Sequence, residues 1–270
     1  MPALSPDRTE ALEAFILELN AVAGAAILPL FRADHGLENK AGPGAFDPVT
    51  QADKGAEAAI RAAVAKRFPD HGFIGEEYGE DRPGAAFVWV LDPIDGTRAF
   101  IAGLPVWTTL IGLRVEGAPT IGSIGQPYLD EVFLGSPAGA RLIARGAARA
   151  LRVRPCPRLA DAIVATTDPA LFDGDERVAW DEVAATARLA RLGCDAYAYA
   201  MVALGAVDLV LETRLKPWDI EAAIPVIAGA GGQVTDWRGE ALDARAGQTA
   251  ITGDRACLDE ALAALSRSAK

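Results

Sequence analysis

The stretch Asp92-Pro93-Ile94-Asp95-Gly96-Thr97 decides how this chain is read. It follows the strand-like run Phe87-Val88-Trp89-Val90-Leu91 and sets two carboxylates three positions apart on a turn shaped by proline and glycine. Pro93 fixes its own φ and biases Asp92 towards extended backbone, while Gly96 permits a tight bend or a close approach of backbone to ligand. Thr97 to Ala102 then reads as a short helix whose first N–H groups can meet an anion. Carboxylates for hard cations beside amides for phosphate suit metal-assisted phosphoryl chemistry. An acidic turn between strand and helix is also a common helix cap, so the assignment depends on further acids reaching the same place.

Two other segments supply them. Upstream, Phe73-Ile74-Gly75-Glu76-Glu77-Tyr78-Gly79 sets adjacent glutamates between glycines after a short apolar pair. Downstream, Lys216-Pro217-Trp218-Asp219 leads into the apolar run Ile220 to Ala228, which Gly229, Gly231 and Gly232 end. Asp219 therefore caps or opens a helix. Taken singly, Glu76 also reads as a surface acid and Asp219 as a plain N-cap.

The combination of Gly-Glu-Glu, Asp-Pro-Ile-Asp-Gly-Thr and Trp-Asp before a helix resembles the inositol monophosphatase superfamily of magnesium-dependent, lithium-sensitive phosphatases. The likeness runs from about Lys40 to the end, in the family's order and approximate spacing. It implies an α+β (mixed α/β) fold, a layered αβαβα sandwich. An N-terminal lobe over 1–150 would carry most metal ligands, and a C-terminal lobe over 151–270 would complete the site. The resemblance assigns Glu76, Asp92 and the backbone carbonyl of Ile94 to one Mg2+, and Asp92, Asp95 and Asp219 to a second. Asp53 matches the acid that pairs with Thr97 and joins a third, weaker metal site. Asp92 would bridge two cations about 4 Å apart. Glu76 or the Thr97–Asp53 pair would help deprotonate the attacking water, with the Gly96 and Thr97 amides facing the phosphoryl oxygens.

For the ester itself, Arg98-Ala99-Phe100-Ile101-Ala102-Gly103-Leu104-Pro105 and Gly193-Cys194-Asp195-Ala196-Tyr197-Ala198-Tyr199 look like the histidinol-phosphatase branch. So does the run from Val207 to Asp219. That branch implies L-histidinol phosphate, whose ammonium and imidazole favour carboxylate partners. Asp195 and Glu212 are the candidates, with Asp95, Gly96, Thr97 and Thr167 completing the implied substrate contacts. Asp195 reads equally as the N-cap of the helix after it, and Tyr197 and Tyr199 read more as core than as imidazole contacts. Inositol 1-phosphate and broader sugar or nucleotide phosphates, 3′-phosphoadenosine 5′-phosphate among them, stand as alternatives. A catalytically silent metal-binding regulatory protein is the non-enzymatic one.

The 270 residues suit one large domain or two packed lobes, with an ordinary globular composition of 51% hydrophobic and 23% charged residues. A net charge of −11 argues against nucleic acid or anionic membrane as partner, and it also opposes the small phosphorylated substrate that the resemblance implies. Divalent cations among the acids would reverse the local sign. Ser5 to Glu10 is charged where a secretory peptide turns apolar, and no run of 18 apolar residues is expected to follow. Cys156, Cys194 and Cys257 lack metal-site spacing and read as thiols in a reducing cytoplasm. The two histidines, His35 and His71, exclude a histidine-rich zinc site. The resemblance implies a homodimer.

Periodicity predicts helices over about Thr9–Phe31 and Asp53–Phe68, a loop over Lys40–Pro48, and a strand meander over Trp107–Val115, Thr120–Gln126 and Glu131–Leu134. The basic stretch Arg149 to Pro155 reads as a solvated edge strand and linker. Strand and helix then alternate to a C-terminal helix carrying Leu258, Leu262 and Leu265.

Overall fold

A computed structural model describes residues 4–34, 36, 38–39, 48–242 and 246–270. All but the end of the Lys40–Pro48 loop expected from sequence lies outside the described residues. The chain opens with α1 (Pro6–Ile27), capped by Ser5 Oγ accepting from Arg8 N at 3.3 Å with Pro6 in the first turn. Strands β1 (Glu38–Asn39) and β2 (Pro48–Val49) pair antiparallel. Helix α2 (Gln51–Arg67) starts at a capping box between Thr50 and Asp53. Next come β3 (Gly72–Gly75), β4 (Gly79–Asp81), β5 (Phe87–Asp95) and α3 (Thr97–Ile101). The meander β6 (Thr108–Val115), β7 (Ala118–Gln126), β8 (Glu131–Ser136), β9 (Gly139–Ala144) and β10 (Ala147–Ala150) follows. These strands form an eight-stranded sheet among the described residues, ordered β10-β9-β8-β7-β6-β5-β3-β4 and antiparallel except where β3 meets β5. Arg149 thus lies on the exposed edge strand expected for it.

The rest of the chain supplies β11 (Ile163–Thr166), α4 (Asp175–Thr186), β12 (Leu189–Leu192), α5 (Asp195–Ala203) and β13 (Leu209–Leu215). Helices α6 (Pro217–Ile220) and α7 (Ala223–Gly229), strands β14 (Gln233–Thr235) and β15 (Gly247–Thr252), and α8 (Arg255–Leu265) complete it. The second sheet runs β12-β11-β13-β15-β14. The single helix expected after Asp219 is broken in two. Pro225 falls in the first turn of the second piece, where its missing N–H is not needed.

Alternation along the strands distributes the side chains into three apolar layers. Leu12, Phe15, Ile16 and Leu19 of α1 and Ala56, Ile60 and Val64 of α2 pack on Trp89, Leu91, Ile111 and Leu113 of the large sheet. Each fully buried aliphatic or aromatic side chain there contributes roughly 1.5–3 kcal/mol. The opposite face, with Leu110, Ile124 and Phe133, packs on α5 and α7, which also cover Ala165, Val210 and Ile251 of the second sheet. Val164, Leu209, Leu211 and Ala250 then pack on α4 and α8 through Trp180, Val183, Leu258 and Leu265. The order is therefore helix, sheet, helix, sheet, helix, as the family resemblance implied. Pro6–Leu30 is long and apolar enough to cross a membrane by composition, contrary to the sequence expectation, but its apolar side is committed to the first of these cores.

His71 ties the first layer together. Its ring stacks between Phe68 and Phe87, with centroids 4.5 and 4.8 Å away, and its Nδ1 accepts from Trp89 Nε1 at 3.1 Å. That bond needs an unprotonated Nδ1. Burial, and then the nearby Arg8 cation, lower its pKa to about 4. The folded state thus binds this proton less readily than the unfolded chain, so the contribution is full above about pH 6.5 and lost as pH falls towards 4. Between pH 7 and pH 5 the wild type should lose about 1–2 kcal/mol more unfolding free energy than His71→Phe, allowing for solvent at the ring edge. Urea denaturation of both proteins at the two pH values measures this; parallel losses would refute it.

Candidate active site

The decisive turn forms the end of β5. Asp92 and Ile94 are buried, and Asp92 Oδ1 accepts from Ile94 N at 3.1 Å, which curls the turn back on its own carboxylate. Pairing with β6 shifts register between Asp92 and Asp95, and Thr109 Oγ1 donates to the freed Pro93 carbonyl at 2.8 Å. Gly96 is left-handed (φ 84°), and a Cβ there would stand 2.9 Å from the carboxyl carbon of Asp195. Only glycine admits both conditions. Glu76 ends the β3 side, with its N–H donating to Leu91 O at 3.2 Å beside Asp92.

The second sheet and its helices bring the remaining acids. Asp95 Oδ2 accepts from Ala196 N at 2.7 Å, so the large sheet caps the start of α5. Glu212 Oε1 accepts both N and Oγ1 of Thr167, each at 2.9 Å. Asp219 Oδ2 accepts from Lys216 N at 2.7 Å. Glu76, Asp92, Ile94, Asp95, Gly96, Thr97, Thr167, Asp195, Glu212 and Asp219 all line one cleft of about 200 Å3. A neighbouring pocket of about 480 Å3, lined by Arg98, Leu104 and Asp168, shares Gly96, Thr97, Thr167, Leu171 and Asp195 with it.

Three expectations need correction. Asp195 is not the N-cap of α5: Cys194 holds that position, and Asp195 begins the helix in a left-handed conformation (φ 43°), its carboxyl turned against Gly96. Asp219 is likewise no N-cap but lies in the first turn of α6, because Pro217 starts that helix two residues earlier. Thr97 Oγ1 donates to Ile94 O at 3.2 Å and not to Asp53, which accepts Thr50 N and Oγ1 at 2.8 and 2.5 Å as part of its helix cap. Asp53 is buried behind the cleft and still raises the pKa of Asp92. Tyr197 turns away to donate to Glu131 at 2.8 Å, whereas Tyr199 lines the cleft. Asp168, Leu171, Thr213 and Leu215 were not anticipated; the Asp-Pro pair at 168 and 169 was the one visible sign of a turn there.

The electrostatics follow from crowding. Burial first, and then Glu76, Asp95, Asp219 and Asp53, push the Asp92 carboxyl well up. Burial and then Asp195 do the same to Asp95. Burial holds Asp195 and Asp219 at about 6 and Glu212 at about 8. Among the described residues no three such side chains already form a closed metal shell. The donor set nevertheless fits hard divalent cations, being all carboxylate and carbonyl oxygen with a surplus of buried negative charge.

With this geometry in view, the family model for inositol monophosphatases matches residues 8–270. The chain belongs to the inositol monophosphatase family. It is 43% identical over 208 residues to the chloroplastic bifunctional phosphatase IMPL2 of Arabidopsis thaliana, covering 76% of this chain but 59% of that longer protein. It is 36% identical over 202 residues to the histidinol-phosphatase of Chlorobaculum parvum, covering 71% and 73% of the two chains. An inositol monophosphatase structure from Zymomonas mobilis superposes with a TM-score of 0.85 at 38% identity, over 97% of this chain and 100% of its own. This family member is a phosphatase with the layered fold of its relatives.

Proposed function

We propose that this inositol monophosphatase family member is a magnesium-dependent phosphomonoesterase that releases phosphate from L-histidinol phosphate. The supporting observation is Asp195, a half-buried carboxyl lying against Gly96 where the acid cleft opens into the neighbouring pocket. A leaving group that carries an ammonium and an imidazole gains charge-assisted bonds there, which a neutral polyol lacks. Identity to a histidinol-phosphatase supports the same reading.

Glu76, Asp92, Asp95, Asp219 and the Ile94 carbonyl would hold two Mg2+ ions, with Asp53 behind them for a third. Bound there, the cations would supply the positive charge that phosphoryl transfer requires. The chain's own groups do the rest. Glu76 accepts the proton of the attacking water, and the bond from Ile94 N keeps one Asp92 oxygen fixed. Thr167 holds the Glu212 carboxyl towards the leaving group. Leu104 and Leu171 give the pocket wall an apolar surface beside the acids. We propose in addition a cytoplasmic homodimer, lithium inhibition, and a division of labour between residues 1–150 and 151–270.

Purified protein with Mg2+, offered histidinol phosphate, inositol 1-phosphate and 3′-phosphoadenosine 5′-phosphate side by side, tests the substrate. At least a tenfold preference in kcat/KM for histidinol phosphate is expected, about 1.4 kcal/mol of discrimination. Asp195→Asn should shrink that preference more than it slows inositol phosphate. A tenfold preference for inositol phosphate would reverse the assignment.

A further inference from the structure

Glu57 takes no part in the acid cleft, yet its exposure is 0%. It stands one turn beyond Asp53 on α2, at a spacing that puts both carboxylates on one helix face. Its Oε2 accepts from Glu77 N at 2.8 Å, and its Oε1 accepts from Tyr78 N at 3.3 Å and Arg61 Nε at 2.8 Å. Arg61 in turn donates to Gly79 O, while its guanidinium lies 4.9 Å from the Phe73 ring centroid. Helix α2 therefore grips the three residues that follow Glu76. On the other side, Glu76 N is tied to Leu91 O at 3.2 Å, next to Asp92. Gly75 completes the fit, since a Cβ there would come within 2.1 Å of Glu57 Oε1.

We propose that Glu57, braced by Arg61, is a positioning residue that fixes the Gly75–Gly79 turn so that Glu76 faces Asp92, and thereby sets the affinity of the cleft for divalent cations. The inference rests on the magnesium-dependent reading above. A buried carboxylate that accepts two backbone N–H groups and a guanidinium N–H is an acceptor-only anchor. Glutamine keeps the shape but turns an NH2 towards those donors, leaving at least one N–H unsatisfied and the turn free to shift. Groups that orient metal ligands from behind typically change metal affinity by about 10- to 100-fold when altered.

The test is Mn2+ binding to wild type and Glu57→Gln, followed by electron paramagnetic resonance well below either melting temperature, with Mn2+ standing in for Mg2+. Glu57→Gln should bind Mn2+ at least about tenfold more weakly. It should need correspondingly more Mg2+ for half-maximal phosphate release, while KM for the ester at saturating Mg2+ stays within about twofold. Unchanged Mn2+ affinity with a lowered melting temperature would make Glu57 merely structural and overturn the proposal. If Glu57→Gln does not fold, Arg61→Met carries the test: it keeps the stem over Phe73 but releases Glu57 and Gly79, and unchanged Mn2+ affinity in it is equally fatal. A wild type that binds no Mn2+ would instead overturn the magnesium-dependent reading itself.

Discussion

Asp92→Asn should lower Mg2+-dependent kcat/KM by about a thousandfold or more, some 4 kcal/mol of transition-state stabilisation, while raising the melting temperature of the metal-free protein at pH 7.5. Both halves follow from the same crowding. Burial and four neighbouring acids push the Asp92 carboxyl well above its ordinary pKa, so the folded state binds its proton more tightly than the unfolded chain does. Its contribution is favourable in acid and is lost as pH rises through the folded value. Asparagine removes the buried charge yet keeps an oxygen for Ile94 N. Glu76, Asp95 and Asp219 then repel one neighbour fewer, but the cleft loses the carboxylate proposed to hold both cations. Mg2+ titrations of phosphate release, with thermal melts in chelator, check the pair of effects. Retained activity would dismantle the functional assignment; an unchanged or lower melting temperature would dismantle the electrostatic account.

The second large effect lies outside the cleft. Gly112, Gly122 and Gly135 stand opposite one another on β6, β7 and β8. They make a trough across the sheet, and the backbone entering α7 lies in it. A Cβ on Gly122 would fall 2.2 Å from Ala222 O, and one on Gly135 would fall 2.3 Å from the Val226 nitrogen and Cα. Those neighbours are backbone, so no rotamer change relieves the clash. Gly135→Ala should therefore cost about 3 kcal/mol or more of unfolding free energy by urea denaturation. Gly84→Ala, where an added Cβ meets nothing within 4 Å, should stay within about 0.5 kcal/mol of wild type. Equal stability of the two variants would contradict this packing. The trough matters for function because it fixes the segment that bears Asp219. Glu221, two residues on, is bound to Arg114 of β6 through Nε at 2.5 Å.

The turn at Asp92 was legible in the sequence because its geometry is local: Pro93 and Gly96 shape the backbone whatever surrounds them. The helix-sheet-helix-sheet-helix order came from the family resemblance carried by that turn, while apolar periodicity marked only the separate helices and strands. Asp195 was legible as a residue but not as a role. Its cap position was taken by Cys194, and the Ala196 N–H at the start of the helix is bound by Asp95 from a hundred residues away. The Thr97–Asp53 pair failed for a similar reason, since the cap of α2 claims Asp53 first. Nothing in the spacing of Gly112, Gly122 and Gly135 revealed a shared trough, because register between strands is a long-range property.

By itself, then, the sequence determined which backbone turns are possible and which residue types stand on them, since φ preferences and apolar periodicity act over a few neighbours. Only the tertiary structure decided which acids share a cleft, which are spent on caps and which brace others from behind. Those outcomes depend on strand register and on helices lying against glycine, through contacts between residues far apart in the chain.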